Sequence, residues 1–273
     1  YDPDGGYFAT GPLRSRKEGD FLTSPEVSPL FGETIARFVA AEAERIGSTG
    51  FVVLEIGAGS GSLLRPLLDE LDIAVAARAV EVSAAARAAL AERVPEVAVA
   101  AGLDEIPDGV RGVVIANEVA DNLPAALAVR RGEGWRERTV TASGDDLAWH
   151  ESPARPEVAA WADRFAGDVA EGGLVEVQLE AFEWMQALVR KLAAGTVLAF
   201  DYGETGEGLA HRRAEGTLRT YRGHHLGPDP LLEPGSTDVT MDVDVGALAA
   251  AAAGTGAEVE VFPQAEFLER WGI

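Results

Sequence analysis

Between residues 51 and 116, short apolar runs alternate with amphipathic stretches. Residues 51–56 form an apolar run closed by glycines, and residues 63–71 carry leucines at helical spacing. The theme repeats at 77–82 and 84–93, and further apolar runs follow at 97–101 and 112–116. Strands alternating with helices predict an α/β fold, a mainly parallel sheet with helices on both faces. Upstream, Phe31, Ile35, Phe38 and Val39 recur at helical spacing as far as Ile46-Gly47, which predicts a helix from Ser28 or Pro29.

Beyond residue 125 the pattern changes. Turn signals at Arg131-Gly132-Glu133-Gly134 and Ser143-Gly144-Asp145-Asp146 make 127–150 a meander, within an inserted antiparallel β/α lobe expected over 125–178. A helix over 156–171, a strand at 174–177, a helix over 182–192 and a strand at 196–200 return the chain to the sheet. Residues 204–238 read as mostly loop, a length that usually marks a cover over a site. A helix at 246–253 and a strand at 258–262 close the pattern. Residues 1–30, rich in Gly, Pro and polar side chains, read as an N-terminal arm or lid, and 1–273 as one domain.

Composition narrows the chemistry. A net charge of -22 repels phosphate backbones, so nucleic acid is not expected as a partner. The same charge favours cationic ligands and basic protein segments, and it also serves solubility. With no cysteine there is no disulfide, thiolate metal site or thiol nucleophile, and with four histidines no metal centre is expected. No apolar stretch approaches the length of a membrane span. A cytoplasmic location is therefore expected, although a removed targeting segment would leave no trace in a chain beginning Tyr1-Asp2-Pro3.

The first strand runs into Leu54-Glu55-Ile56-Gly57-Ala58-Gly59-Ser60-Gly61-Ser62. In a chain with 31 glycines the bare motif is weak, and its context gives it meaning. An apolar strand precedes it and a helix follows. An acid, Glu81, ends the next strand about 20 residues later, where a carboxylate accepts the hydroxyls of a ribose. Glycines let the backbone approach a ligand without Cβ interference, and a helix starting near Ser62 would offer free amide donors. The dinucleotide fingerprint needs glycine at Ser62, whereas Gly61 falls one residue early, which counts against NAD. An acid two residues before the first glycine, here Glu55, is the pattern of S-adenosylmethionine enzymes, whose donor carries a cationic sulfonium.

Several dispersed segments resemble the MidA-like methyltransferases, whose mitochondrial members are complex I assembly factors acting as protein arginine methyltransferases. The likeness rests on Gly19-Asp20-Phe21-Leu22-Thr23-Ser24-Pro25-Glu26, the glycine turn, Val80-Glu81-Val82-Ser83, and Ala116-Asn117-Glu118 with Asp121 and Leu123-Pro124. It continues through Gly134-Trp135-Arg136-Glu137, Asp201-Tyr202-Gly203, the stretch from Gly216 to His224, and Pro234-Gly235 with Asp238 and Thr240. The resemblance implies a class I methyltransferase (Rossmann-like) sheet, S-adenosyl-L-methionine as donor and a protein arginine as acceptor, in a respiratory or other complex. Three departures stand out. Val119, Ala120 and Asn122 stand at the variable places of the family's Asn-Glu-Phe-Phe-Asp-Ala-Leu-Pro pattern, Asp242 replaces a histidine, and the family usually continues into a final strand beyond Ile273.

Methyl transfer is an in-line displacement, so positioning and exclusion of water dominate. Glu55, Gly57, Gly59, Gly61 and Glu81 are the expected donor-binding residues, joined by Asn117 and by Thr23 and Ser24 of a segment that folds over the donor or anchors the arm. Asp104, after the third strand, either binds the adenine amino group or is plain solvated charge. Glu118, beside Asn117 at the end of the fourth strand, is the expected contact for an arginine guanidinium; its alternative is a loop-fixing or capping carboxylate. Asp121 either caps the following helix or faces the acceptor. His224 is either a base or lid contact or a satisfied loop histidine. A small-molecule methyltransferase, sharing every donor residue, and a non-catalytic donor-binding assembly factor remain alternatives.

Overall fold

The computed structural model describes residues 2, 4–9, 25, 28–144, 146–223 and 225–272. Helix α1, Leu30–Ile46, turns Phe31, Ile35, Val39 and Ala43 inward and stops at Gly47 (φ 88°). Then come β1 (Val52–Ile56), α2 (Leu64–Glu70), β2 (Ala76–Val80), α3 (Ala84–Arg93), β3 (Ala98–Ala100) and β4 (Val110–Asn117). After β4 the chain leaves this layer and returns as β9 (Leu192–Phe200). The sheet is parallel throughout, in the order β3-β2-β1-β4-β9.

Alternation along β4 explains why both faces are covered. Val113 and Ile115 pack with Val53, Leu63, Leu67 and Leu90 and with the aromatics of α1. Val114 and Ala116 face the other way, onto Leu54, Ile56, Val80 and Leu188. Leu188 belongs to α5 (Leu179–Lys191), which runs directly into β9.

Between β4 and β9, strands β5 (Ala126–Arg131), β6 (Gly134–Ser143), β7 (Asp146–Pro153) and β8 (Leu174–Val177) form a separate antiparallel sheet, ordered β7-β6-β5-β8. Helix α4, Pro156–Phe165, lays Val158, Trp161 and Ala162 against Ala128, Trp135, Val175 and Val177. Trp135 donates its indole N–H to Asp163 Oδ1 at 2.8 Å, so its polar edge is satisfied inside an apolar cluster.

Three expectations need correction. The helix expected over 156–171 ends at Phe165, where Gly167 and Gly172-Gly173 open a turn. Residues 204–238 are not simply loop. Short elements occur there: β10 (Gly203–Glu204), α6 (Gly206–Ala210), β11 (Arg219–Arg222) and β12 (His225–Leu226), with β11 also pairing to β13 (Asp238–Thr240). Each is too short to show a periodicity. The strand expected at 258–262 does not form: Val259 and Val261 are exposed and pair with no described strand. The chain closes instead with β14 (Val243–Asp244), α7 (Val245–Ala253) and α8 (Gln264–Trp271), whose Phe267 is buried against Phe38 and Phe200.

Candidate active site

The carboxyl ends of β1, β2, β4 and β9 lie side by side. Ile56 is in register with Val80 and with Ala116, and Asn117 with Phe200. The sheet departs in opposite directions from β1 to β2 and to β4, so the crevice where open parallel sheets bind ligands falls beyond Ile56.

Three glycines in left-handed conformations build the turn there: Gly57 (φ 68°), Gly59 (φ 53°) and Gly61 (φ 78°). They do different things. A Cβ on Gly57 would lie 2.8 Å from Val119 Cγ2, and one on Gly61 would lie 2.7 Å from Leu90 Cδ1, so these two are packing positions. A Cβ on Gly59 would meet nothing within 4 Å, so the space beside this glycine is open. Helix α2 begins at Leu64, two residues later than the expected start near Ser62, and the amides of Gly57, Ala58, Gly59 and Gly61 are not free donors: they are taken by Val80 O, the Glu81 carboxylate and Ala58 O.

Glu81 is buried, and its carboxylate already braces this turn. Oε2 accepts from Gly59 N at 2.8 Å and Oε1 from Ser83 N at 2.7 Å. Each oxygen keeps a second lone pair, so Glu81 can hold a pair of hydroxyls while fixing the backbone beside them. Glu55 lies under the turn, 4% exposed, and its Oε2 has no hydrogen-bond partner among the described residues. Burial, and secondarily the charge of Glu81, push the Glu55 carboxyl well above the usual carboxylate range. An orphaned acid beside a second acid is a place where a cation relieves the strain. Asp104 sits exposed in a 3-10 turn, Leu103–Glu105, that Glu105 shapes by accepting from Ala101 N and Gly102 N. Thr23, Ser24 and His224 lie outside the described residues.

The raised Glu55 carboxyl gives a signed prediction. A group whose folded pKa exceeds its unfolded value contributes stability that is complete below the unfolded pKa and lost as pH rises through the folded one. Glu55→Gln does not titrate. The variant is therefore expected to match or exceed the wild-type melting temperature at neutral pH, with the difference shrinking toward acid, while binding the cationic donor more weakly. Thermal unfolding across pH, with calorimetry at neutral pH, checks both parts; a variant that loses stability as pH rises relative to wild type contradicts the assignment.

On the acceptor side, Glu118 follows β4 with φ 53°, the only non-glycine among the described residues with positive φ. Its N–H donates to Phe200 O at 2.8 Å, and Asn117 Nδ2 donates to its Oε1 at 3.3 Å. Val119 then rests on the Gly57 turn, so the loops after β1 and β4 touch. The helix that Asp121 was expected to cap is only a three-residue 3-10 turn, Ala120–Asn122, without a side-chain cap of its own. Asp201 supplies the acceptor instead: its Oδ2 takes the N–H of Ala120 at 2.9 Å and of Asp121 at 3.3 Å. Asp121 points elsewhere, its buried carboxylate accepting from the hydroxyls of Tyr202 and Thr240. Burial raises the Asp121 carboxyl; burial and the Asp121 charge raise Asp201 well above the usual range, and burial raises the Tyr202 phenol.

Asp201, Tyr202 and Thr240 occur in the motifs of the sequence, yet only the fold assigns them contacts. One signal was available: Asp201 is an acid just past an apolar strand of the parallel sheet, as are Glu81 and Glu118. Asp242, at the place of the family's histidine, is buried and pairs with Arg219 at 2.7 Å and Arg212 at 2.9 Å. Arg219 also lies over the Tyr202 ring, 5.1 Å from its centre.

A parallel five-stranded sheet in this order, with a glycine turn after β1 and an acid after β2, defines a class I methyltransferase fold. Residues 34–262 match the family described as "Putative S-adenosyl-L-methionine-dependent methyltransferase", and the chain belongs to that family. Curated relatives include the mitochondrial "Protein arginine methyltransferase NDUFAF7 homolog" of Drosophila melanogaster, 30% identical over 89% of this chain and 62% of that protein. The Mus musculus NDUFAF7 protein is 29% identical over 100% of this chain and 68% of its own length, so the chain spans about two thirds of these relatives. A crystal structure of a COG1565 superfamily member from Burkholderia thailandensis, bound to S-adenosyl-homocysteine, superposes with a TM-score of 0.84 at 32% identity, covering 94% of this chain and 70% of that one. Among the described residues no helix is long and apolar enough to cross a membrane.

Proposed function

We propose that the chain transfers a methyl group from S-adenosyl-L-methionine to an arginine side chain of a protein. The observation that carries this reading is the juxtaposition, through Val119, of the open Gly59 turn with the turn that bears Glu118. On the donor side of this reading, Gly59 gives access, Glu81 takes hydroxyls, the orphaned Glu55 favours a cationic ligand, and Asp104, which is exposed, meets the adenine amino group. The donor supplies an electrophilic methyl group on a cationic sulfur. Glu118 binds one edge of the guanidinium, Asn117 steadies its carboxylate, and the charge-assisted contact orients the nucleophilic nitrogen.

The relatives' names support arginine as acceptor, and a net charge of -22 suits a basic protein segment better than a nucleic acid. An arginine-bearing segment of a respiratory or other complex is the proposed partner. Residues 125–178 are proposed as an inserted lobe of one domain, with 204–238 and the described part of the 1–30 arm beside the site, the rest of that arm lying outside the described residues. A close approach of Gly235 to the carbonyl of Gly5 supports bringing those two segments together. The relatives are named mitochondrial, which gives no support to the cytoplasmic location expected from sequence. The test is radiolabel transfer to a peptide with a single arginine and to the same peptide with lysine there. Label on the arginine peptide alone is expected, and equal labelling of both contradicts the reading.

A further inference from the structure

A residue held at φ 53° without being glycine carries a conformational cost that its surroundings must overcome. Around Glu118 the end of β9 supplies the acceptors for the turn's amides, while Met241 N donates to Asp121 O at 3.1 Å from the other side. Phe200 O accepts from Glu118 N, and Asp201 Oδ2 accepts from both Ala120 N and Asp121 N. The second Asp201 oxygen accepts from Tyr202 N at 3.0 Å, which fixes the carboxylate itself. Three amide donors of the 118–121 turn are thus tied to two consecutive residues of another strand. The Asp121 carboxylate bonds none of the turn's own amides, being directed to Tyr202 and Thr240.

We propose that Asp201 is a positioning residue, which keeps the Glu118 backbone in its left-handed conformation and so directs the Glu118 carboxylate toward the acceptor. The second half of this statement rests on the acceptor role given to Glu118 above. In this proposal Asp201 acts through the turn, by its bonds to the amides of Ala120 and Asp121, and not by contact with donor or acceptor. With that carboxylate gone, the amides of Ala120 and Asp121 lose their shared acceptor, and the turn relaxes toward a conformation that residue 118 adopts without strain.

The relaxation makes a double-variant cycle decisive, and the cycle needs no acceptor. In the otherwise wild-type chain, Glu118→Gly removes the left-handed cost and is expected to raise Tm by about 2–4 °C. In an Asp201→Ala background the turn is already relaxed, and the same change is expected to give little or no gain. Asp201→Asn, which keeps one oxygen, serves for the cycle if the alanine variant does not fold. Equal gains in both backgrounds, the result of independent structural roles, overturn the proposal, as does no gain in the wild-type background. With the single-arginine peptide, Asp201→Asn should lower kcat about 10–100-fold and leave S-adenosylhomocysteine affinity within about 3-fold. The two readings fail separately. A Glu118→Gln variant with normal turnover removes the acceptor role and leaves the Tm coupling readable, whereas additive Tm changes remove Asp201 alone.

Discussion

Glu118→Gln is expected to lower kcat/KM for an arginine peptide by about 100-fold while leaving donor affinity nearly unchanged. Glutamine keeps the size of the side chain and one carbonyl acceptor but removes the charge that pairs with a guanidinium. A charge-assisted hydrogen bond is about twice as strong as a neutral one, and a 100-fold loss corresponds to about 2.7 kcal/mol of transition-state stabilisation. The backbone of residue 118 is equally strained in both proteins, since glutamine and glutamate share the left-handed cost, so the fold is not the variable. Initial rates and calorimetry on the same preparation separate the cases. Near-normal turnover, or loss of stability and donor binding together, makes Glu118 a loop-fixing carboxylate.

Gly59→Val is expected to weaken S-adenosylhomocysteine binding by at least about 100-fold. A Cβ at residue 59 would meet no protein atom within 4 Å, so the valine side chain is expected to occupy the ligand's proposed approach to the turn. It also forces a β-branched residue to φ 53°, which displaces the amide that Glu81 holds. Gly59→Ala, smaller and unbranched, should show the same effect to a lesser degree. Titration with S-adenosylhomocysteine measures it, and titration with NAD should give no binding in either protein. Wild-type affinity in Gly59→Val places the donor elsewhere.

The parts of the molecule legible in the sequence share a physical cause. A strand buried on both faces must be apolar along its length, so β1 and β4 stand out, and the glycines and the acid that follow them can be placed at strand ends. The packing roles of Gly57 and Gly61 were not legible, because they depend on Val119 and Leu90, far away in the chain. The same holds for Asp201, whose partners lie 81 and 80 residues upstream. Residues 258–262 show the opposite failure. Their apolar alternation is real, yet a strand needs a partner, and here Phe262 packs beside α1 and α8 while Val259 and Val261 face solvent. Asp121 was legible as an acid near the site, but its direction was set by Tyr202 and Thr240, on segments no local pattern connects to it.

The destination of the methyl group is the central question. Cell extract incubated with the protein and isotopically labelled S-adenosylmethionine, digested and read by mass spectrometry, answers it directly. Label is expected on arginine side chains of one or a few proteins, present with the wild-type chain and absent with Gly59→Val. Label confined to small molecules or to other side chains, or labelling that persists unchanged in Gly59→Val, would contradict protein arginine methylation at this site.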